Sequence, residues 1–458
     1  MAKSIAQPIK ALKREVGVFG ATMMGIGSMV GAGVFVSIGI AAGIAGPAVI
    51  LAIALAAIVA TCNALSSAQL AASMPVSGGT YEYAYTYLSP WLGFTAGWMF
   101  LCAKTASGAT AALGFAGYLL RALGLAGFVV PVAVSAIVAL TIIVLMGIRR
   151  SNRANIVIVS VTVFALAFFV TAGALAIWAK GSQPWLPFFR APGTSGGPWA
   201  GLLEATALMF VAFTGYARIA TLGEEMQDPT RTIPRAIIAT LIASAILYIA
   251  VGAVGIAAIG PDALAAAARA EVAPLVAAAR TFDILGASWI IAIGAMTAML
   301  GVLLNLILGL SRVLLAMGRR GDMPGCFTDV SRSGSPTAAI LAVGVAIGGL
   351  ALIGNVAVTW SFSAFTVLAY YAITNLAALC LPKEKRLYSS LFAWGASWRA
   401  SFLRSSLSVK SGWSDWDSSP PGSSGTLWRN TWRDPRQGPA DALLAPGPRD
   451  NGIYAGVR

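Results

Sequence analysis

Histidine is missing from this 458-residue chain, and charged residues are scarce. The first absence excludes Ser-His-Asp and Cys-His catalytic groups and every histidine-ligated zinc site. The second absence concerns the surface: charged residues make up 10% of the chain, whereas soluble proteins carry about 25%. Because hydrophobic residues make up 58%, the chain has too little charge to cover a water-facing surface, and we predict that its partner is the lipid bilayer.

Cysteines are few and scattered. The four of them lie far apart and form no CxxC pair (Cys62, Cys102, Cys326 and Cys380). We therefore predict no metal ribbon, no disulfide framework and no cofactor. The net charge of +14 does not indicate a nucleic-acid partner, and we predict none, because polytopic membrane proteins concentrate Lys and Arg in their cytoplasmic loops. We also predict no cleavable signal peptide, since the first apolar stretch is too long.

Ten apolar segments have roughly the 20 residues that a helix needs to cross a bilayer. They span residues 17–43, 46–72, 91–120, 127–148, 154–179, 200–221, 235–259, 286–317, 337–354 and 356–381. We therefore predict an all-α polytopic membrane protein, in which a short N-terminal segment (1–16) precedes a ten-helix core (17–386). Between the seventh and eighth segments, residues 262–283 are rich in alanine and predict either a short amphipathic hairpin over the bundle or an ordinary surface loop.

The distribution of Lys and Arg predicts the orientation. With the N-terminus inside, the inner segments up to residue 386 hold 15 of these residues and the outer segments hold 5. Positive charge collects on the cytoplasmic side of membrane proteins. We therefore predict a multi-pass protein of the cell (inner) membrane with a cytoplasmic N-terminus.

The composition changes at residue 387. The last 72 residues contain no membrane-length apolar run, yet they hold 6 of the 13 tryptophans and much Ser, Pro and Gly. Disordered tails are normally poor in aromatic residues. Two interpretations remain open: an unusual, disordered cytoplasmic tail, or a segment translated out of frame.

Glycine interrupts the first apolar segment. Four glycines fall within nine positions, at 25, 27, 31 and 33, and each costs a helix about 1 kcal/mol relative to alanine. We expect the helix to unwind, which at membrane depth is tolerated where the backbone lines a cavity or is buried in protein. Free N–H groups at the start of the following half-helix would favour an anion such as a carboxylate. The alternative is close helix packing, because Gly27 and Gly31 fit the GxxxG pattern.

The sixth segment has a similar interruption. Gly215 lies in its middle, and Arg218 follows one turn later. Two interrupted helices five segments apart are typical of an inverted repeat, in which the two breaks meet near the membrane midplane and form the binding site. We therefore predict a bundle of five plus five helices with discontinuous helices one and six. The two repeats would cover residues 17–179 and 200–381.

Three motifs extend this pattern. Residues 27–35 read GSMVGAGVF, residues 75–83 read PVSGGTYEY, and residues 223–236 read GEEMQDPTRTIPRA. In order and helix position they resemble the motifs of the amino acid–polyamine–organocation transporters. The resemblance covers residues 14–386 and implies a leucine-transporter-type fold and an amino acid permease that works by alternating access. The family usually has twelve helices, and the last two are absent here.

The resemblance also implies the substrate site. In this family the backbone N–H groups of the unwound first helix hold the substrate carboxylate, and the matching positions are Gly31, Ala32 and Gly33. Carbonyl groups at the break of helix six hold the amino group, and the matching positions are Val211, Ala212 and Thr214. The substrate side chain would meet Thr105, Ala106 and Tyr216. This pocket contains no acid, which disfavours cationic amino acids and polyamines.

Four ionisable residues are candidates for coupling or gating. Glu224 and Glu225 could form an ion network at the inner gate, or the stretch could serve helix capping and topology. Arg218 could be functional or could be a snorkelling or ion-paired structural residue. Proton-coupled relatives carry a lysine on helix five, where this chain has Thr162. We therefore predict that Lys104 of helix three is the proton-responsive group; the rival interpretation is a permanently charged lysine paired with Glu82 or a carbonyl.

The leading functional prediction is a secondary active transporter, not an enzyme, which moves amino acids and is proton-coupled, in symport. The alternatives are a membrane-embedded enzyme, an uncoupled channel or binding protein on the same scaffold, or a truncated permease defective in transport. The missing histidines and the lack of paired intramembrane carboxylates disfavour the enzyme.

Overall fold

The computed structural model describes residues 12–31, 33–125, 127–183, 185–189, 197–269, 273–331, 334–353 and 356–388. Each of the ten predicted apolar segments contains helix, and within these ranges the only strand-like pairs are two isolated bridges, Val16–Met226 and Ser77–Leu222. The all-α prediction is therefore confirmed. The tail predicted from residue 387 lies outside the described residues, apart from Leu387 and Tyr388.

The helices follow the predicted order, and two of them are broken. Helix one consists of Val18–Met29 and Ile38–Ala45, joined through a π-helical turn at Gly33–Ser37. Helices two to five span Val49–Ser73, Pro90–Ala122, Val129–Leu145 and Ile148–Lys180. Helix six consists of Gly197–Ala212 and Ala217–Thr221, joined by a 3-10 turn at Thr214–Tyr216. Helices seven to ten span Pro229–Arg269, Ala287–Arg320, Thr337–Ala351 and Val356–Leu379.

Five helical stretches of the described chain are long and apolar enough to cross a membrane. They are Gly33–Ser73, Ile148–Lys180, Trp199–Thr221, Pro229–Ala268 and Ala287–Arg320. Three shorter apolar helices accompany them, Val18–Met29, Val129–Leu145 and Thr337–Ala351. The chain is therefore a polytopic helical membrane protein whose halves each begin with a broken helix.

Within the described residues, the segment between helices seven and eight is helical, which agrees with the hairpin interpretation and not with the surface loop. Gly260 has a left-handed backbone (φ 78°) that interrupts the helix Pro229–Arg269, and a further short helix spans Pro274–Ala279. The hairpin covers the second half of helix one: a Cβ atom at Gly39 would lie 2.9 Å from the carbonyl oxygen of Leu264 and 2.7 Å from Cγ of Pro274. Within the described residues, this segment is therefore a helical cover and not a plain loop.

Helix eight lies at the centre of the packing, against helices one, three and five. Small residues allow these close approaches: a Cβ atom at Gly294 of helix eight would lie 2.5 Å from Cβ of Ala165 on helix five. In a membrane, where lipid tails are as apolar as leucine, such close packing is a main source of helix association.

Candidate functional site

The break in helix one follows Met29. Val30 has extended backbone (φ −77°, ψ 92°), which ends the first half-helix. The carbonyl oxygen of Gly31 then accepts the N–H groups of Val34 (3.2 Å) and Phe35 (3.3 Å), at the start of the π-helical turn. The glycine spacing correctly predicted this interruption. Ala32, the middle residue of the predicted carboxylate site, lies outside the described residues.

The break in helix six contacts the break in helix one. A Cβ atom at Gly215 would lie 2.5 Å from the backbone carbon of Ser28 and 2.6 Å from the nitrogen of Met29. A Cβ atom at Gly33 would lie 2.5 Å from Cβ of Ala212. Two glycines, one from each break, therefore let the two backbones touch.

A tyrosine of helix seven connects the two breaks. The buried Tyr248 hydroxyl lies 2.7 Å from the carbonyl oxygen of Met29 and 3.3 Å from that of Ala212. A hydroxyl has one proton, so the two carbonyls share a single donor. Tyr248 therefore contacts both half-helices, and moving them apart would break at least one of these two contacts. The sequence analysis did not identify this residue.

The three carbonyls predicted to hold a substrate amino group each accept a hydroxyl. The Tyr248 hydroxyl donates to the carbonyl of Ala212 (3.3 Å). The hydroxyl of Tyr371, on helix ten, donates to the carbonyl of Thr214 (2.6 Å), and the Thr214 hydroxyl donates to the carbonyl of Val211 (2.8 Å). A carbonyl oxygen has two lone pairs, so each of them can accept a second donor such as an ammonium group.

A narrow gap lies beside the helix-one break, between helices five and eight. It is lined by Gly27, Val30, Val159, Thr162, Thr297, Ala298 and Gly301, and it does not admit a water molecule. The Thr162 hydroxyl meets that of Thr297 at 2.8 Å. Seven residues before Thr162 on helix five, the buried side-chain amide of Asn155 accepts a hydrogen bond from that of Asn305 at 2.6 Å. The helix-five positions at which the resemblance implied a lysine in proton-coupled transporters therefore hold neutral hydroxyl and amide groups in this chain.

The residues predicted for the side-chain pocket lie outside this gap. The Thr105 hydroxyl bonds to its own helix, at the carbonyl of Leu101 (2.7 Å), and Ala106 is buried. Tyr216 is fully buried beside Tyr371, with ring centroids 5.8 Å apart. None of these three residues lines the gap beside helix one.

Acidic residues from a short helix (Thr80–Tyr87) and from the 3-10 turn Gly223–Glu225 bind arginines of helix eight, and we call this cluster, together with Asp322, the charged end. It comprises Glu82, Glu224, Glu225, Arg312, Arg319, Arg320 and Asp322. The innermost pair is fully buried, with 0% of either side chain exposed: Arg312 donates to both carboxylate oxygens of Glu225, at 2.6 and 3.2 Å. Glu224 accepts Arg319 at 2.8 Å and also the backbone N–H of Ser77 at 3.1 Å.

The outer part of the charged end belongs to the short helix Thr80–Tyr87 between helices two and three. Glu82 binds Arg320 through two oxygens, and the guanidinium lies 4.4 Å above the Tyr85 ring. The hydroxyls of Tyr81 and Tyr85 donate to Asp322 at 2.7 and 3.1 Å. Burial and the hydrogen bond to Asp322 raise the pKa of the Tyr81 hydroxyl, so that it remains a donor at neutral pH. The suggested pairing of Glu82 with a lysine of helix three is therefore wrong.

Of the arginines that pair with Glu224 and Glu225, one could have been identified as functional from the sequence. Arg312 lies inside the predicted segment 286–317, where a charge is expensive and usually functional. Arg319 carried no such signal because it lies past the end of that segment. Their pairing with acids about 90 residues earlier depends on tertiary packing.

Among the described residues, Arg218 and Lys104 are cations in the interior of helices six and three that pair with no acid. Arg218 is 4% exposed, and its Nε and Nη1 atoms have no hydrogen-bond partner. Its guanidinium lies against Gly309 of helix eight. Lys104 is half-buried on helix three, and no acid pairs with it.

A family model of the amino acid permeases matches residues 20–392. The chain belongs to the amino acid permease family. An uncharacterized transporter of Mycobacterium tuberculosis is 44% identical over 378 residues, which cover 82% of both chains. A branched-chain amino acid permease of Bacillus subtilis is 31% identical over 343 residues (70% of each chain), and a methylthioribose transporter of the same species is 28% identical over 395 residues (82% of each).

These similarities confirm the family predicted from the three motifs. The relatives are transporters and permeases, not enzymes, as the sequence also predicted. This amino acid permease is a multi-pass membrane protein, and the junction of its two broken helices is its candidate substrate site.

Proposed function

We propose that this permease moves amino acids across the cell (inner) membrane by alternating access, coupled to protons. The observation that carries the proposal is the junction of the two breaks, where Gly215 lies against the backbone of Ser28 and Met29 and Tyr248 bonds to both half-helices. A break in a membrane helix leaves backbone groups that need partners. Two breaks in contact concentrate these groups at one place.

The backbone would recognise the part that all amino acids share. The N–H groups at Gly31, Ala32 and Gly33, at the start of a half-helix, suit a carboxylate. The second lone pairs of the carbonyls at the helix-six break (Val211, Ala212 and Thr214) suit an ammonium group. Because the protein backbone would bind the groups that all amino acids share, selectivity among amino acids would come from side chains of the protein.

The charged end would be the inner gate. Its arginines come from helix eight, and the acids that pair with them come from the segments that follow helices two and six. Opening a path from the site to the cytoplasm would separate these groups. A gate held by several ion pairs closes firmly but can be reopened when water enters and solvates the charges.

Lys104 is the residue that we assign to proton coupling. A half-buried lysine without an acid partner can exchange its proton as water reaches it on one side and leaves it on the other. Helix five offers only neutral groups at the corresponding position, Thr162 and Asn155.

Uptake into proteoliposomes tests the proposal. Purified full-length protein is reconstituted, a proton gradient is imposed, and labelled amino acids are offered one at a time. We expect at least one of them to accumulate above equilibrium, and we expect an uncoupler to abolish that accumulation. Uptake that only equilibrates would indicate a channel, and no uptake of any amino acid would overturn the proposal.

The Lys104→Gln variant tests the coupling group. It keeps polarity and approximate size but cannot titrate. We expect it to equilibrate substrate without accumulating it and to lose the pH dependence of uptake. The exposed Lys383→Gln variant is the matched control. A Lys104→Gln protein with the wild-type pH profile would remove Lys104 from the coupling mechanism.

A further inference from the structure

Arg218 is a buried cation that lacks a counter-charge in the described part of the chain. Only 4% of its surface is exposed, and two of its three guanidinium nitrogens have no hydrogen-bond partner. Burying an uncompensated charge is strongly destabilising, and an arginine inside a membrane helix is accordingly paired or used for function. Arg218 therefore requires an anion.

The acids near this arginine are already engaged. Each carboxylate of the charged end accepts hydrogen bonds from an arginine of helix eight or from tyrosine hydroxyls (Glu82, Glu224, Glu225 and Asp322). Glu225, seven residues after Arg218, is held through both of its oxygens by Arg312. Moving it to Arg218 would leave Arg312 buried and unpaired. The missing anion therefore comes from outside these residues.

Lys104 supplies a second positive charge, from helix three. It is half-buried, and no acid of the described residues pairs with it. Phe100, one turn before it, packs on Tyr370 of helix ten with ring centroids 5.0 Å apart. Residues four apart share a face of a helix, so Lys104 lies on the face of helix three that meets helix ten.

Arg218 adjoins the proposed substrate site. Arg218 follows the 3-10 turn Thr214–Tyr216 by two residues. Tyr371, which donates to the carbonyl of Thr214 at the helix-six break, packs edge-on against Tyr370 at 5.3 Å. A ligand whose amino group lies at that break would therefore have Arg218 near its side chain, on the side of helix ten.

We propose that Lys104 and Arg218 form a subsite for the side-chain carboxylate of an acidic amino acid, so that this permease prefers aspartate or glutamate. The inference rests on the proposed function and adds its substrate class. A guanidinium binds a carboxylate through two parallel hydrogen bonds, and it has two unpartnered nitrogens here. A neutral side chain would leave the arginine unpaired, and a cationic one would be repelled. An anion beside Lys104 also stabilises its protonated form, which links proton binding to binding of an acidic substrate.

Competition among amino acids tests the substrate class. Full-length protein in proteoliposomes takes up the best labelled substrate in competition with aspartate, glutamate, their amides, leucine and lysine. In the wild type we expect the acids to compete about 10- to 100-fold better than their amides, the range for a hydrogen bond to a charged group. In Arg218→Gln we expect this ratio to fall towards one, with little change in the affinity for glutamine.

The following controls distinguish loss of the subsite from loss of folding and from failure of the proposed function. Arg231→Gln removes the same charge from an exposed position and should keep the wild-type ratio, and Arg218→Lys should retain part of it. Should Arg218→Gln fail to fold, Lys104→Gln serves with the same readout. Wild-type protein that takes up neutral amino acids and rejects acids would overturn this inference and leave the proposed function intact. Protein that takes up no amino acid would overturn both.

Discussion

Replacing Gly215 by alanine should separate the two broken helices. The added Cβ atom would lie 2.5 Å from the backbone carbon of Ser28 and 2.6 Å from the nitrogen of Met29. Backbone atoms cannot turn aside as a side chain can, so one half-helix has to move. Overpacking of this kind costs about 1–3 kcal/mol. We therefore expect a lower free energy of unfolding and a loss of transport from one added methyl group.

A second glycine provides the matched control. Gly117 lies inside helix three, and a Cβ atom there would meet nothing within 4 Å. Alanine is preferred to glycine in a helix by about 0.5–1 kcal/mol. Gly117→Ala should therefore be neutral or stabilising, while Gly215→Ala destabilises. The same substitution is expected to have opposite signs at the two positions.

The assay combines thermal unfolding in detergent with uptake into proteoliposomes. We expect Gly215→Ala to unfold at a lower temperature than wild type and to transport poorly, and Gly117→Ala to match or exceed wild type in both. If Gly215→Ala resembles Gly117→Ala in unfolding and in uptake, the two breaks are not in contact in the functional protein, and the reasoning is refuted.

Three further variants test other parts of the structure. Glu225→Gln leaves the buried Arg312 without its acid and should cost about 3–5 kcal/mol of unfolding free energy, measured by denaturant titration; a loss no greater than that of the exposed Glu384→Gln would contradict the buried pair. Tyr248→Phe removes the hydroxyl between the two breaks and should cost about 1–3 kcal/mol and slow uptake; wild-type stability and rate together would exclude it as a link. Gly309→Ala fills the space taken by a buried guanidinium and should destabilise by about 1–3 kcal/mol; an unchanged unfolding temperature would argue against that contact.

The helix breaks could be predicted because their causes are local. Glycine weakens a helix wherever it stands, and the cluster at 25–33 and the glycine at 215 both coincide with observed interruptions. The ten apolar segments were equally visible, since a bilayer sets the length of each one. Local composition is therefore sufficient for the order of helices and for the position of the two breaks.

The partners of those breaks could not be predicted in the same way. Tyr248 bonds to a carbonyl 219 residues earlier, and Tyr371 bonds to one 157 residues earlier. Such contacts depend on the rotation and depth of helices seven and ten in the bundle, which an apolar sequence leaves open. The same holds for Arg319, whose acid lies on a loop 95 residues away.

The central claim is that an amino acid binds where the two broken helices meet. The most direct measurement is the shift in unfolding temperature of the wild type and of Gly33→Val with each amino acid in turn. At 100 times its Kd a ligand stabilises the folded protein by about 2.7 kcal/mol. We predict that at least one amino acid stabilises the wild type and none stabilises Gly33→Val, because valine would collide with Ala212 at the junction. Equal stabilisation of both proteins, or of neither by any amino acid, would contradict the account.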